Sequence, residues 1–300
     1  MTLWIPITLA AAFFQTLRFM LQRQLSLGTL SAGGATLARF LYSAPLVAVL
    51  IVVYMRATGQ VWPGFGPTFW VFGAIGGLAQ ILATVATVML FKARNFAVGV
   101  TFKKTEVMQA VLVGWVLLGD SVSGFGFAAI GLGLVGVLLL SAPPELARFD
   151  WRGMANRSVA LGLGAGLLFA ISGVSYRGAS LSLGLDDPLA RAGLTLAAVT
   201  AMQTAAMLVW LRLRDPGQVT AVWGARRVAV WVGLMSMAGS FCWFTAFTLQ
   251  NAAYVNAVGQ VELVFSAMAS VIVFREKISG REWLGMAVLL GSILMLIAVI

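Results

Sequence analysis

Residues 103–124 read KKTEVMQAVLVGWVLLGDSVSG, and 156 positions later residues 259–280 read GQVELVFSAMASVIVFREKISG. The apolar identities differ, but the polar landmarks keep step: Glu106 falls on Glu262, Asp120 on Glu276, and Ser123-Gly124 on Ser279-Gly280. The same shift sets Asn95 on Asn251 and Leu25-Ser26-Leu27-Gly28 on Leu181-Ser182-Leu183-Gly184. It also sets Gly73 and Gly77 on Ala229 and Gly233, small residues that allow close helix approach. Apolar matches carry little weight in so hydrophobic a chain, whereas polar matches at one fixed offset mark an internal repeat. The register slips by about four residues in the second helix of each unit, where Leu37-Ala38-Arg39 answers Leu189-Ala190-Arg191.

Of the 300 residues, 60% are hydrophobic and 10% charged, too few charges to cover a surface facing water. A spanning helix needs about 20 apolar residues, so this length accommodates about ten spans and no sizeable soluble domain. There is no histidine, which removes the usual general base and the commonest metal ligand. The single cysteine, Cys242, excludes an internal disulfide framework. With no metal-ligand spacing and no phosphate-binding G-x-x-x-x-G-K-[ST] loop, neither an enzyme nor an ATP-driven pump is expected, and no cofactor. The first apolar stretch, Thr2 to Leu17, has neither the basic start nor the cleavage site of a signal peptide.

Gly, Pro, Arg and Asp punctuate ten apolar stretches: 3–22, 31–54, 67–91, 96–118, 122–141, 158–183, 188–211, 228–250, 253–274 and 281–299. The connections 142–157 and 212–227 read as polar loops. Alternate loops collect 13 basic residues, among them Arg23, Lys92, Arg94, Arg148, Arg152, Arg212 and Lys277, whereas the opposite loops offer little beyond Arg56. Positive charge marks the cytoplasmic side. The net charge of +10 is therefore a topology signal rather than a nucleic-acid footprint, and both termini are predicted outside the cytoplasm. The fold expected is an all-α membrane protein of ten transmembrane helices: a first five-helix repeat over 1–141, a cytoplasmic linker over 142–157 and a second repeat over 158–300. Five is odd, so the second repeat enters the membrane inverted, the architecture of alternating-access carriers.

The run ending Gly119-Asp120-Ser121-Val122-Ser123, with its counterpart Arg275-Glu276-Lys277-Ile278-Ser279, resembles the signature that closes the fourth helix of each half in the drug/metabolite transporter superfamily. A Gly-rich helix follows each, with Gly131 and Gly136 in one and Gly285 and Gly291 in the other, and Arg39 and Arg191 match the Arg of each second helix. Across its whole length the chain is most similar to ten-helix bacterial exporters of aromatic amino acids. The resemblance implies a monomeric carrier of small molecules in the bacterial inner membrane, with helices one to four and six to nine around a central cavity and the fifth and tenth at the periphery. The chain departs from the pattern midway along the fourth helix of each half. Many relatives place a helix-bending proline there, where this chain has Glu106 and Glu262.

Charges near the bilayer centre cost at least about 2.5–3.5 kcal/mol, so they should face a cavity or one another. Candidate substrate-binding residues are Gln15, Thr16, Tyr42, Gln80, Lys103, Glu106, Tyr176, Ser240, Trp243, Gln260 and Glu262. Together they offer amides, one cation, hydroxyls and aromatic walls, which suits an aromatic amino acid and also a lipophilic cation or drug. Lys103 and Glu106, three apart, form one ion pair. Gly259 occupies the repeat position of Lys103, which leaves Glu262 without a built-in cation and makes it the better proton carrier. Gln and Ser can equally serve helix packing. Arg39 and Arg191 read as structural, Arg18 and Lys104 as snorkelling to the interface, and Trp4, Trp62, Trp223 and Trp283 as an interfacial belt.

Overall fold

The structure, a computed structural model, describes residues 3–28, 30–91, 96–141, 157–274 and 279–298. These residues form fourteen helices and no strand. The first group is α1 (Trp4–Leu27), α2 (Ala32–Leu41), α3 (Ser43–Ala57), α4 (Pro67–Phe91), α5 (Phe96–Lys103), α6 (Glu106–Leu118) and α7 (Gly124–Ser141). The second is α8 (Arg157–Leu181), α9 (Pro188–Arg214), α10 (Gln218–Gly224), α11 (Arg226–Leu249), α12 (Ala252–Gly259), α13 (Glu262–Phe274) and α14 (Gly280–Ile297). Eight continuous runs are long and apolar enough to cross a membrane, with α2 and α3 counting as one run, Ala32–Ala57.

Local chemistry sets the helix ends. Ser31 caps α2 by accepting from the Gly34 N–H at 3.1 Å. Asp187 caps α9 by accepting from the Leu189 N–H at 2.8 Å, with Pro188 in the first turn where its missing N–H costs nothing. Ser279 and Glu282 form a reciprocal capping box on α14. At the end of α6, Gly119 takes a left-handed φ of 67°, so the Asp120 N–H can reach back to the Gly114 carbonyl at 3.2 Å. The predicted spans match these helices to within five residues, with three corrections. The stretch 212–227 is not a plain loop: it holds α10. Arg212 and Arg214 lie in the last turn of α9, and Arg226 and Arg227 open α11. The predicted linker 142–157 lies almost wholly outside the described residues, as do Lys92, Arg94, Asn95 and Glu276.

The third correction concerns the two fourth helices, each of which is broken in the middle. The break falls between α5 and α6 and again between α12 and α13, where proline is absent. In both places the chain tightens into i→i+3 bonds: Lys104 N–H to Thr101 C=O and Thr105 N–H to Phe102 C=O, then Gln260 N–H to Ala257 C=O and Val261 N–H to Val258 C=O. Each second pair lies 156 residues from its counterpart. The bounds of α5, α6 and α7 likewise recur, residue for residue, in α12, α13 and α14.

Packing is reciprocal. α1 lies against α11, α12 and α13, and α8 lies against α4, α5 and α6. α7 and α14 pack on each other through glycine: a Cβ on Gly136 would meet the Leu289 backbone at 2.6 Å, and one on Gly285 would meet that of Leu140 at 2.7 Å. The exterior is apolar, with Leu112, Trp115 and Val116 exposed along α6, while Arg18, Arg39, Lys103, Lys104 and Glu262 are buried. This polarity, charges inside and hydrocarbon outside, suits lipid rather than water. Trp62, Trp223 and Trp283 are exposed, but Trp4 is buried in the core and leaves the predicted belt.

Candidate functional site

A cavity lies among α1, α2, α4, α8, α11 and the two helix breaks. Among the residues lining it, none comes from α7 or α14. Nine of the eleven predicted site residues border it: Gln15, Gln80, Lys103, Glu106, Tyr176, Ser240, Trp243, Gln260 and Glu262. The other two do not. The Thr16 hydroxyl donates to the Ala12 carbonyl of its own helix at 2.9 Å, the ordinary way a membrane helix satisfies a threonine. Tyr42 packs over Gly233 and points its hydroxyl at the Val222 carbonyl, 3.5 Å away in α10.

Both helix breaks deliver charge to the cavity. In the first, Lys103 Nζ lies 3.7 Å from Glu106 Oε2, the predicted i,i+3 pair. It also sits 4.8 Å above the Phe169 ring and 5.4 Å above the Phe19 ring, whose negative faces favour a cation. In the second break the expectation of a partnerless Glu262 is overturned. Lys104 reaches across from the first break and pairs with Glu262 Oε1, while Gln15 Nε2 donates to Oε2. Lys104 does not snorkel: it is 3% exposed and turned inward onto a buried carboxylate. Arg18 does not snorkel either. It is 3% exposed, its guanidinium stacks 4.2 Å over Phe19, Nη2 donates to Gln15 Oε1 at 3.5 Å, and Nη1 has no partner among the described residues.

Arg39, read from the sequence as structural, borders the cavity. One nitrogen donates to Thr84 Oγ1 at 3.0 Å and the other to Ser240 Oγ at 3.3 Å, so α2 is tied to α4 and α11. Beside it runs an amide–phenol network: Tyr176 donates to Gln80 Oε1 at 3.0 Å, and Gln203 Nε2 donates to the same oxygen at 2.9 Å. Two stacked pairs form the aromatic wall, Tyr176 with Phe244 at 4.2 Å between centroids and Trp243 with Phe247 at 5.6 Å. Trp243 Nε1 donates to Gln15 Oε1 at 3.1 Å, so Gln15 links the indole to the Glu262–Lys104 pair. Sequence reasoning missed Asn256, Phe169 and Phe247 here. Asn256 lies four residues before Gln260 and shares its helix face, a spacing that could have found it.

A buried chamber with charged walls, closed in by apolar helices and interrupted by two broken ones, is a place to hold a solute inside a membrane. Residues 156–298 match the EamA-like transporter family. The matched segment is just under half of the chain, and the family is one of membrane transporters within the drug/metabolite transporter superfamily. The fold recurs in a solved crystal structure of a protein carrying no more specific name. It aligns over 99% of this chain and 98% of its own, with a TM-score of 0.75 and 16% identity, a likeness of fold alone. No curated protein matches the sequence. With the apolar helices, the EamA-like match supports a multi-pass membrane protein that transports small metabolites.

Proposed function

We propose that the chain is an alternating-access exporter of amino acids, aromatic ones foremost, from the bacterial cytoplasm. The observation that carries this reading is the central cavity itself, to which two broken helices 156 residues apart each bring an acid paired with a buried lysine. Taken as single interrupted crossings, α5–α6 and α12–α13 add two spans to the eight continuous ones and give ten. Broken helices at mid-membrane depth are tolerated where they line a cavity, and they mark binding sites in carriers built from repeats. On this reading the halves 1–141 and 158–300 are inverted copies, and the exchange of α1 and α8 between them provides the surfaces that rock. The basic loops face the cytoplasm, both termini lie outside, and the monomer is the working unit.

For an aromatic amino acid, Trp243 and the Tyr176–Phe244 stack supply the ring wall, while Gln80, Ser240 and Gln260 supply polar contacts. A lipophilic cation would suit the aromatic faces but would have to enter beside Arg39 and Lys103, so the amino-acid reading is preferred.

Pure protein in proteoliposomes preloaded with unlabelled phenylalanine should accumulate radiolabelled phenylalanine by exchange, saturably. Replacing Trp243 by Ala should cut the rate at least tenfold, whereas Trp62→Ala or Trp283→Ala should leave it within twofold. Flux that rises linearly with concentration would mean a channel, and equal losses at all three tryptophans would mean that Trp243 serves packing.

A further inference from the structure

The charges around the cavity do not balance. Arg39, Lys103, Glu106 and Glu262 line it, and two more buried cations stand directly behind that wall, Arg18 against Gln15 and Lys104 against Glu262, so four cations meet two acids and each acid already has a lysine. Among the described residues no carboxylate lies within 4.0 Å of Arg18 or Arg39. Arg39 is 5% exposed, and its partners there are two hydroxyls, which neutralise nothing. A guanidinium has five N–H donors in a fixed fork suited to a carboxylate, so Arg39 keeps donors to spare at the cavity wall. A buried cation left unpaired is costly, and a bound ligand that carries the missing negative charge removes that cost. A zwitterion leaves the excess of two positive charges untouched, a cation raises it, and an anion lowers it.

The ring wall is within reach of the same ligand. Trp243 follows Ser240 by three residues on α11, so the hydroxyl that holds Arg39 and the indole stand about one helical turn, roughly 5 Å, apart. That is the distance between the carboxylate and the ring of a small arylalkanoate. The unpartnered amide nitrogen of Asn256, also at the cavity, is a further donor for such an anion.

We infer that the cavity is built for an aromatic organic anion, its carboxylate seated on Arg39 and its ring against Trp243. The inference rests on reading this cavity as a transport site and narrows its substrate class.

The test compares three probes of one skeleton at neutral pH: 3-phenylpropionate, phenylalanine and 2-phenylethylamine. Binding to the full-length detergent-solubilised protein is measured by calorimetry, which avoids leakage of weak acids and bases through vesicles. Affinity should fall in that order, with at least tenfold between the anion and the amine. Arg39→Gln should weaken 3-phenylpropionate at least tenfold and 2-phenylethylamine less than twofold, with Arg39→Lys in between. The wild-type ranking decides the matter even where a variant fails to fold. Amine binding as tight as the anion's, no binding of the anion, or equal losses for all three probes in Arg39→Gln would overturn the inference. Phenylalanine exchange in vesicles without 3-phenylpropionate binding would leave the exporter reading standing and remove only this one. The anion binding with no amino-acid exchange would do the reverse.

Discussion

The two broken helices share a backbone and differ in chemistry. In α5–α6 the break carries its own cation and acid, Lys103 and Glu106, three residues apart on one strand of chain. In α12–α13 the first of these positions is Gly259 and the acid is Glu262, so the cation must come from elsewhere, and Lys104 of the other break supplies it. Gly259 in turn leaves the space that the Trp243 indole fills, since a Cβ there would collide with that ring. One site of the repeat is thus local and self-sufficient, while the other is assembled across the molecule and opens onto the aromatic wall. The chamber is asymmetric although the two breaks share one backbone pattern.

The largest effect is expected at the pair that crosses between the breaks, Lys104 with Glu262. Lys104→Met or Glu262→Gln alone strands a buried charge, and each should cost about 3–5 kcal/mol, seen as a large drop in the melting temperature of the detergent-solubilised protein. The double variant, which strands nothing, should melt above either single one; a double variant worse than both would mean that the pair does not act as a unit. A smaller effect is expected at Gly259→Ala. The added methyl turns the indole out of place at a cost of about 1–3 kcal/mol, and phenylalanine exchange should fall several-fold. Unchanged exchange there would detach Trp243 from the site. The smallest effect belongs to Glu106→Gln. Its pair is long, at 3.7 Å, and Lys103 keeps the Phe169 and Phe19 faces, so about 1 kcal/mol should be lost. Equal losses for Glu106→Gln and Glu262→Gln would erase the contrast between the two breaks.

The same contrast explains what the sequence could and could not reveal. Helix spans were legible because hydropathy is local: Pro67–Phe91 is as predicted from its flanking glycine, proline and arginine. The Lys103–Glu106 pair was legible because three residues on a helix share a face. Lys104 with Glu262 and Arg39 with Ser240 were not, being 158 and 201 residues apart with no periodicity to announce them. The breaks were obscured for another reason. Proline is the usual sign of an interrupted helix, and here the interruption is written in i→i+3 bonds around Lys104–Thr105 and Gln260–Val261. Thr16 and Tyr42 fall away from the cavity because position along a span does not say which way a side chain turns.

The packing of α1 on α11 also sets a timetable for biogenesis. α1 leaves the ribosome early, yet its main neighbour α11 starts at Arg226, about 200 residues later. At synthesis rates of about 5–20 residues per second that is a wait of roughly 10–40 s. Throughout it Gln15 and Arg18 must be sheltered by the insertion machinery or by lipid headgroups rather than by the finished bundle. The newborn N-terminal half is therefore the stage most open to surveillance proteases, and a stalled ribosome would leave behind a fragment unable to bury its own polar face.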